Sequence, residues 1–306
     1  RLGIALMVAG IAFGLSYSFE EGIIGPTGRI VLGVLSGIGM VAGGIRILGR
    51  RYHLLGQGLI GGGLATLYVT IFAAHHFYGV IESVWVTFAM MGLVTAAAGV
   101  LAVSVSSMLI AILGIVGGYL TPFMLSGSGA GYGSFFGYLL ILGVGILVIG
   151  HFRQWILLNY LGMAFTYVHV VHTLWGHYVP AHFSQVMPFL VLFFSLYAAV
   201  VIIYNVAHKR QCSLVEILGM FVNSAVFFSL GQHLVRQSYD RPWVAVLTVS
   251  LAAFYVGLVY AFLRRGMRDR ALLLTLMALA GFYLAMTMPM LLSREWLTCS
   301  WSVQAL

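Results

Sequence analysis

Histidine is the side chain in this sequence best suited to chemistry, since there are ten histidines against seven acidic residues. His169 and His172 are three positions apart, so a helix would place both on one face, where they could bind one ion or cofactor. His75 and His76 are adjacent and diverge. A catalytic zinc site needs three protein ligands with supporting partners, and Glu82 is the nearest acid to the second pair. We predict no metal or cofactor and retain His169 and His172 as candidate ligands; the alternative is that such histidines bond lipid headgroups, water or backbone.

Patterns typical of nucleophilic or acid–base catalysis are missing from the sequence. It contains no GxSxG motif, no HExxH motif and no paired carboxylate within an apolar segment. Glu20 and Glu21 are adjacent in a predicted loop, and with His75 and His76 they are the groups that could serve a transferase. We predict no catalytic residue.

The segment GQGLIGGG contains the spacing of a dinucleotide-binding loop at Gly56, Gly58 and Gly61. That fingerprint requires a preceding strand and a following acidic residue in a βαβ unit. Here the glycines lie inside an apolar segment that follows basic residues. We therefore interpret them as a surface for close helix packing.

The segment GIVGGYLTPFMLSGSGAGYG starts as an apolar helix and then meets weak helix formers. Pro122 lacks a backbone N–H, and it disfavours helical geometry at Thr121. We expect the helix to kink or end near Thr121. One interpretation is a broken membrane helix in which Gly118, Tyr119, Thr121 and Pro122 contact a substrate or lipid. The other is a helix end followed by a flexible turn.

Polar residues are sparse in the middle of the apolar segments. Glu216 lies about one turn inside its segment, close to Lys209 and Arg210, with which it could pair. Asn223 lies deeper. A buried Asn in lipid usually joins helices by hydrogen bonds, and a substrate contact is the alternative.

Composition identifies the solvent of this protein. Of its 306 residues, 61% are hydrophobic and 7% are charged, whereas soluble domains carry about 25% charged residues. Lipid fits such a chain, so we expect a polytopic membrane protein. The net charge of +8 comes without the clustered basic face that nucleic-acid binding requires, so membrane lipids and other membrane proteins are the expected partners.

Apolar stretches of about 20 residues, the length that crosses a bilayer core, recur along the chain. We predict an all-α transmembrane bundle of about 11 spans. They lie near residues 2–18, 29–48, 54–78, 83–104, 107–125, 133–151, 156–176, 184–207, 213–235, 243–263 and 271–292. A further span would begin at Ser300 and Trp301, so we expect a fragment of a longer chain that continues beyond Leu306.

Charge in the loops predicts the orientation of these spans. With the N-terminus in the cytoplasm, all but four of the 15 basic residues fall on the cytoplasmic side, the exceptions being Arg29, Arg236, Arg241 and Arg294. This agrees with the positive-inside rule. Cys212 and Cys299 would then lie on opposite sides of the membrane and could not form a disulfide within the chain.

We predict one transmembrane domain over residues 1–306. The size of its side chains differs between two parts of this domain. Glycines recur at helical spacing in residues 1–130, for which we expect tight helix packing. Residues 131–306 are bulkier, as in FLVLFFSLYAAVVIIY.

Four segments together resemble a known family. LGQGLIGGGLATLYVTIFAAHHFYGV, AILGIVGGYLTPFMLSGSG, FFGYLLILGVGILVIGHFRQWILLNYLGMAFTY and LAMTMPMLLSREWLTCSWSVQAL are similar to the bacterial predicted membrane proteins of domain-of-unknown-function family 2339 (DUF2339). The resemblance runs in order from about Leu2 to Leu306. It implies an all-helical protein of the bacterial cytoplasmic membrane, often longer at both ends. It brings no activity and no catalytic residues, and Gln304 replaces a Glu common in the family.

Three functions are compatible with these observations. A structural or accessory subunit of a membrane protein complex is favoured by the small-residue faces, the short loops and the lack of deep charges. The first alternative is a transporter or flippase for a neutral or lipid-like substrate. The second is a transferase of cell-envelope glycan or lipid assembly.

Overall fold

The structure, a computed structural model, describes residues 24–48, 53–124, 132–153, 155–208, 212–239, 242–265 and 269–291. In this part of the chain the regular structure is entirely helical, which confirms the all-α prediction. The ten α-helices are α1 (Pro26–Leu48), α2 (His53–His76), α3 (Val84–Val105), α4 (Met108–Met124), α5 (Tyr132–Arg153), α6 (Ile156–His177), α7 (Phe183–His208), α8 (Leu214–Ser238), α9 (Pro242–Arg264) and α10 (Arg270–Leu291). A short 3-10 helix, Pro180–His182, precedes α7.

Eight of these helices are long and apolar enough to cross a membrane, namely α1, α2, α3, α5, α7, α8, α9 and α10. The predicted count of about 11 is slightly higher. Helix α4 is apolar but short, and α6 carries several polar residues. The predicted span near 2–18 lies outside the described residues, as do Glu20 and Glu21. Large apolar side chains cover the outside of the helices, as with Leu54, which is 81% exposed; hydrocarbon is the solvent that suits such a surface.

The chain divides into two compact units, Arg1–Ala130 and Gly131–Leu306. In the first unit, α1 packs closely along α2. Glycines make this approach possible, because a Cβ on Gly44 would lie 2.7 Å from the Gly56 carbonyl oxygen, and a Cβ on Gly63 would lie 2.6 Å from the Gly37 carbonyl oxygen. The packing interpretation of the GQGLIGGG segment is thus confirmed, since the segment lies within α2 and contributes Gly56 and Gly63 to this contact.

Helices α3 and α4 form a tight hairpin in the same unit. Only Ser106 and Ser107 separate them. Ser106 has a positive φ of 55°, and its N–H bonds the Ala102 and Val103 carbonyls, closing the end of α3. The two helices then pack against each other and against α2.

The second unit contains α5 to α10. Helix α9 packs most extensively against α10, α7 against α8, and α5 against both α6 and α7. Large aromatic side chains fill the interior: Phe194 and Phe227 stack with ring centroids 4.5 Å apart, and Tyr255 and Tyr283 stack at 6.1 Å. Offset stacking of this kind adds to the dispersion energy of a packed interior.

Candidate functional site

The residues predicted to contact a substrate in α4 lie inside the first unit. The helix does not end at Thr121 but runs through Pro122 to Met124. Gly118, Tyr119, Thr121 and Pro122 are all buried, Tyr119 being only 1% exposed. The Thr121 hydroxyl donates to the Gly117 carbonyl at 3.0 Å. A substrate would reach these buried residues only if the surrounding helices moved, and their predicted role stays a prediction.

The glycines that begin this segment make room for neighbouring side chains. The ring of Tyr68, in α2, occupies the space that a Cβ on Gly117 would need. The Tyr68 hydroxyl bonds the Thr95 hydroxyl of α3 at 2.7 Å. A Cβ on Gly114 would lie 2.7 Å from the Cβ of Ala98. Close packing of α2, α3 and α4 therefore accounts for Gly114 and Gly117 without a ligand.

Asn223 joins three helices of the second unit. It is buried in α8, where its Oδ1 accepts a hydrogen bond from the Tyr167 hydroxyl of α6 at 2.6 Å. Its Nδ2 donates to the Phe194 carbonyl of α7 at 3.1 Å. These are the bonds expected of an amide that holds helices together in lipid. A substrate contact by Asn223 stays a prediction, and it would compete with both bonds.

Further buried hydroxyls pair across helices of this unit. Ser224 donates to the Tyr283 hydroxyl at 2.7 Å, joining α8 to α10, and Thr287 donates to the Thr248 hydroxyl at 3.0 Å, joining α10 to α9. Sequence reasoning singled out none of these four residues. The available signal was tyrosine in an apolar helix, because a buried phenol hydroxyl requires a partner.

The two candidate ligand histidines occupy different environments. His169 is buried, and its Nδ1 donates to the Phe165 carbonyl one turn earlier at 2.8 Å, whereas His172 is exposed. His75 Nδ1 likewise donates to the Ile81 carbonyl at 2.7 Å. Among the described residues, no group of three or more His, Cys, Asp or Glu side chains could hold a metal ion. Metal binding by His169 and His172 stays a prediction.

Acidic side chains organise the junction where α8 and α10 begin. Ser213 and Glu216 form a reciprocal capping box at the start of α8. Asp269 caps α10, because its Oδ1 accepts from the Ala271 amide at 3.0 Å. The other oxygen of Asp269 accepts from the Cys212 amide at 2.6 Å and so links the two helix ends. Lys209 and Arg210, the predicted partners of Glu216, lie outside the described residues.

This junction suppresses the reactivity of Cys212. Burial, followed by the negative charges of Glu216 and Asp269, raises the pKa of the Cys212 thiol to about 12. At neutral pH the sulfur is protonated and a poor nucleophile, since the thiolate is the reactive form.

An apolar groove with a volume of about 430 Å³ lies among α7, α8 and α9 of the second unit. Its floor includes the buried side chains of Phe194, Phe227 and Leu251, and its lining also includes the exposed Val191 and Val246. Sequence reasoning missed this groove, because no single segment encodes it. The groove depends on the spacing between α7 and α9, which both lie against α8.

Comparisons with known proteins agree with the helical membrane architecture. No curated protein and no solved structure matches the chain. One family model, described as a predicted membrane protein, matches residues 1–306. The chain therefore belongs to the DUF2339 family of predicted membrane proteins.

Proposed function

We propose that this multi-pass membrane protein is a structural or accessory subunit of a protein complex in the bacterial cytoplasmic membrane. The observation that carries the proposal is the two-sided character of α1. Gly37 and Gly44 are buried against α2. Helical periodicity places Gly39 and Gly43 on the opposite side, where no heavy atom among the described residues lies within 4 Å of an added Cβ.

A small-xxx-small face of this kind suits a second transmembrane helix. Hydrocarbon provides no hydrophobic force between helices, so close backbone approach and dispersion drive their association, and glycines permit that approach. A large side chain would serve equally well if the face only met lipid. The expected partner is thus an apolar helix of another membrane protein that packs along Gly39 and Gly43.

The polar interior of the second unit supports a scaffold. Asn223, Ser224 and Thr287 bond other protein groups across helix interfaces. Such bonds fix helices relative to one another and would have to break for a polar substrate to pass.

Site-specific crosslinking tests the subunit proposal in native membranes. A photoreactive amino acid at Gly39 is expected to link the chain to a separate membrane protein. Gly43→Leu should abolish that product by blocking close approach. The matched control is Gly257→Leu in α9, which should leave the product unchanged. Gly257 is exposed and, like Gly43, has no heavy atom within 4 Å of its added Cβ among the described residues. Crosslinks confined to lipid, or to the same polypeptide, would contradict the proposal.

A transporter or flippase for a lipid-like substrate is the second candidate, and the groove among α7, α8 and α9 favours it. Uptake and release of a labelled lipid by reconstituted vesicles would test this role. Equal lipid movement in protein-containing and empty vesicles would exclude it.

A further inference from the structure

The groove extends through the depth of one leaflet. Along α9 it is lined from Trp243 to Phe254, a rise of roughly 16 Å at about 1.5 Å per residue. That is about half of the roughly 30 Å hydrocarbon core of a bilayer. The groove therefore has the length of an acyl chain from a single leaflet.

Aromatic contacts define both ends of the groove. Phe183 and Tyr239 meet with ring centroids 5.0 Å apart at the end where α7 and α9 begin, which the predicted topology places at the outer surface. Trp243 lies beside Tyr239 at 5.6 Å, as expected of amphipathic rings at headgroup level. At the deep end, Phe194 of α7 contacts Phe254 of α9 at 5.1 Å.

The closed deep end distinguishes between possible occupants. A partner helix has a diameter of about 10–12 Å and would cross the whole bilayer. The contact between Phe194 and Phe254 blocks such a path near mid-membrane. A lipid tail ends at the mid-membrane and enters sideways, between the exposed Val191 and Val246. The lining offers it an apolar surface with only a few hydroxyl groups, such as those of Ser195 and Ser250.

We infer that this groove holds one acyl chain of an outer-leaflet phospholipid. A groove surrounded by hydrocarbon and left empty would forfeit the dispersion contacts of its walls, and its apolar floor gives water no partners. The bound chain completes the packing among α7, α8 and α9. This site goes beyond the proposed subunit role and does not depend on it.

Photolabelling tests the inference directly. The purified full chain is reconstituted in vesicles of equal parts phosphatidylethanolamine and phosphatidylglycerol. A trace of phosphatidylethanolamine with a diazirine in the middle of one acyl chain is included. After illumination, peptide mass spectrometry locates the inserted lipid. Labelling is expected at Phe227 and Leu251, which are buried and reachable by a chain that has entered the groove.

Two valine variants provide a matched comparison. Val246 lines the groove and is 52% exposed, whereas Val249, on the same helix, is 46% exposed and lies outside it. Val246→Trp should lower labelling of Phe227 and Leu251 by about tenfold, equal to roughly 1.4 kcal/mol in occupancy. Val249→Trp should leave it unchanged. Ser250→Phe, at a second exposed groove position, should reproduce the loss if Val246→Trp fails to fold.

Three results would overturn the inference. The first is labelling of the wild-type chain confined to outward-facing residues, with Phe227 and Leu251 unmodified. The second is an equal effect of the two tryptophan variants. The third is a photoreactive residue at Ser250 that links to another protein in native membranes. Loss of lipid labelling would leave the Gly39 crosslink unaffected, so the two proposals fail separately.

Discussion

A buried amide has few ways to satisfy its hydrogen-bonding groups inside a membrane. Asn223 uses a hydroxyl from α6 and a carbonyl from α7, and the resulting bonds specify which helix faces meet. Asn159 is also buried, yet its Nδ2 has no hydrogen-bond partner in the described part of the chain. The two amides therefore make different contributions to stability, although both are simply Asn residues within apolar segments of the sequence.

Removal of the Asn223 amide should weaken the second unit. Asn223→Leu leaves the Tyr167 hydroxyl and the Phe194 carbonyl without this partner, at an expected cost of roughly 0.5–2 kcal/mol. Chemical unfolding in detergent micelles measures the change. Tyr167→Phe and the double variant complete a mutant cycle, in which the double variant should cost less than the sum of the single ones. Strict additivity would mean that this hydrogen bond contributes nothing.

Cys212 should react slowly with thiol reagents at neutral pH and faster as the pH approaches its pKa of about 12. Glu216→Gln removes one of the charges that raise this pKa but retains a side chain able to complete the capping box. The variant should therefore lower the pKa and speed alkylation near neutral pH. Alkylation rates measured in a Cys299→Ser background isolate the thiol of interest. An unchanged rate would show that the charge of Glu216 does not contribute to the low reactivity.

At the scale of elements, the contact between α1 and α2 depends on backbone proximity. A side chain at Gly44 would meet the Gly56 carbonyl and the Ile60 amide, which cannot move aside as a flexible side chain can. Gly43, the preceding residue, faces open space in the part of the chain that the structure describes. Neighbouring glycines therefore have separate roles on the two sides of one helix.

Substitutions at Gly44 and Gly43 should have separate effects, the first on the stability of the fold and the second on assembly with a partner protein. Gly44→Leu should destabilise the first unit by roughly 1–3 kcal/mol, the usual cost of overpacking. Gly43→Leu should leave stability unchanged and abolish only the crosslink from Gly39. Thermal unfolding in detergent, followed by crosslinking in membranes, distinguishes the two effects. Equal destabilisation by both variants would contradict the distinction between the two faces.

At the scale of the whole molecule, the sequence predicted helix type and most helix bounds, because apolar length and glycine spacing are local properties. Its count of about 11 spans is slightly higher than the eight candidate spans among the described residues, because α4 is short, α6 is relatively polar and the span near 2–18 lies outside those residues. Cross-helix pairs escaped prediction because their members lie far apart in the chain: Ser224 and Tyr283 are 59 positions apart. The groove escaped it for the same reason, as it depends on the spacing of α7 and α9.

The prediction for the entire chain concerns which loops face the cytoplasm and which face the outside. Charge in the loops places the loop after Tyr52 in the cytoplasm and the loop after Glu82 outside. Tags inserted at these positions should differ in their reaction with a membrane-impermeant label, the second being modified in intact cells and the first only after permeabilisation. Modification of both tags from the same side would contradict the predicted orientation.

The two-residue link between α3 and α4 has a consequence for biogenesis. Helix α4 has 17 residues, at the short end of the range of roughly 17–25 residues that cross a bilayer core. Because Ser106 turns the chain back at once, α4 leaves the ribosome already tethered to the longer, strongly apolar α3. We expect the translocon to release the two together, with α3 supplying the driving force for its shorter neighbour.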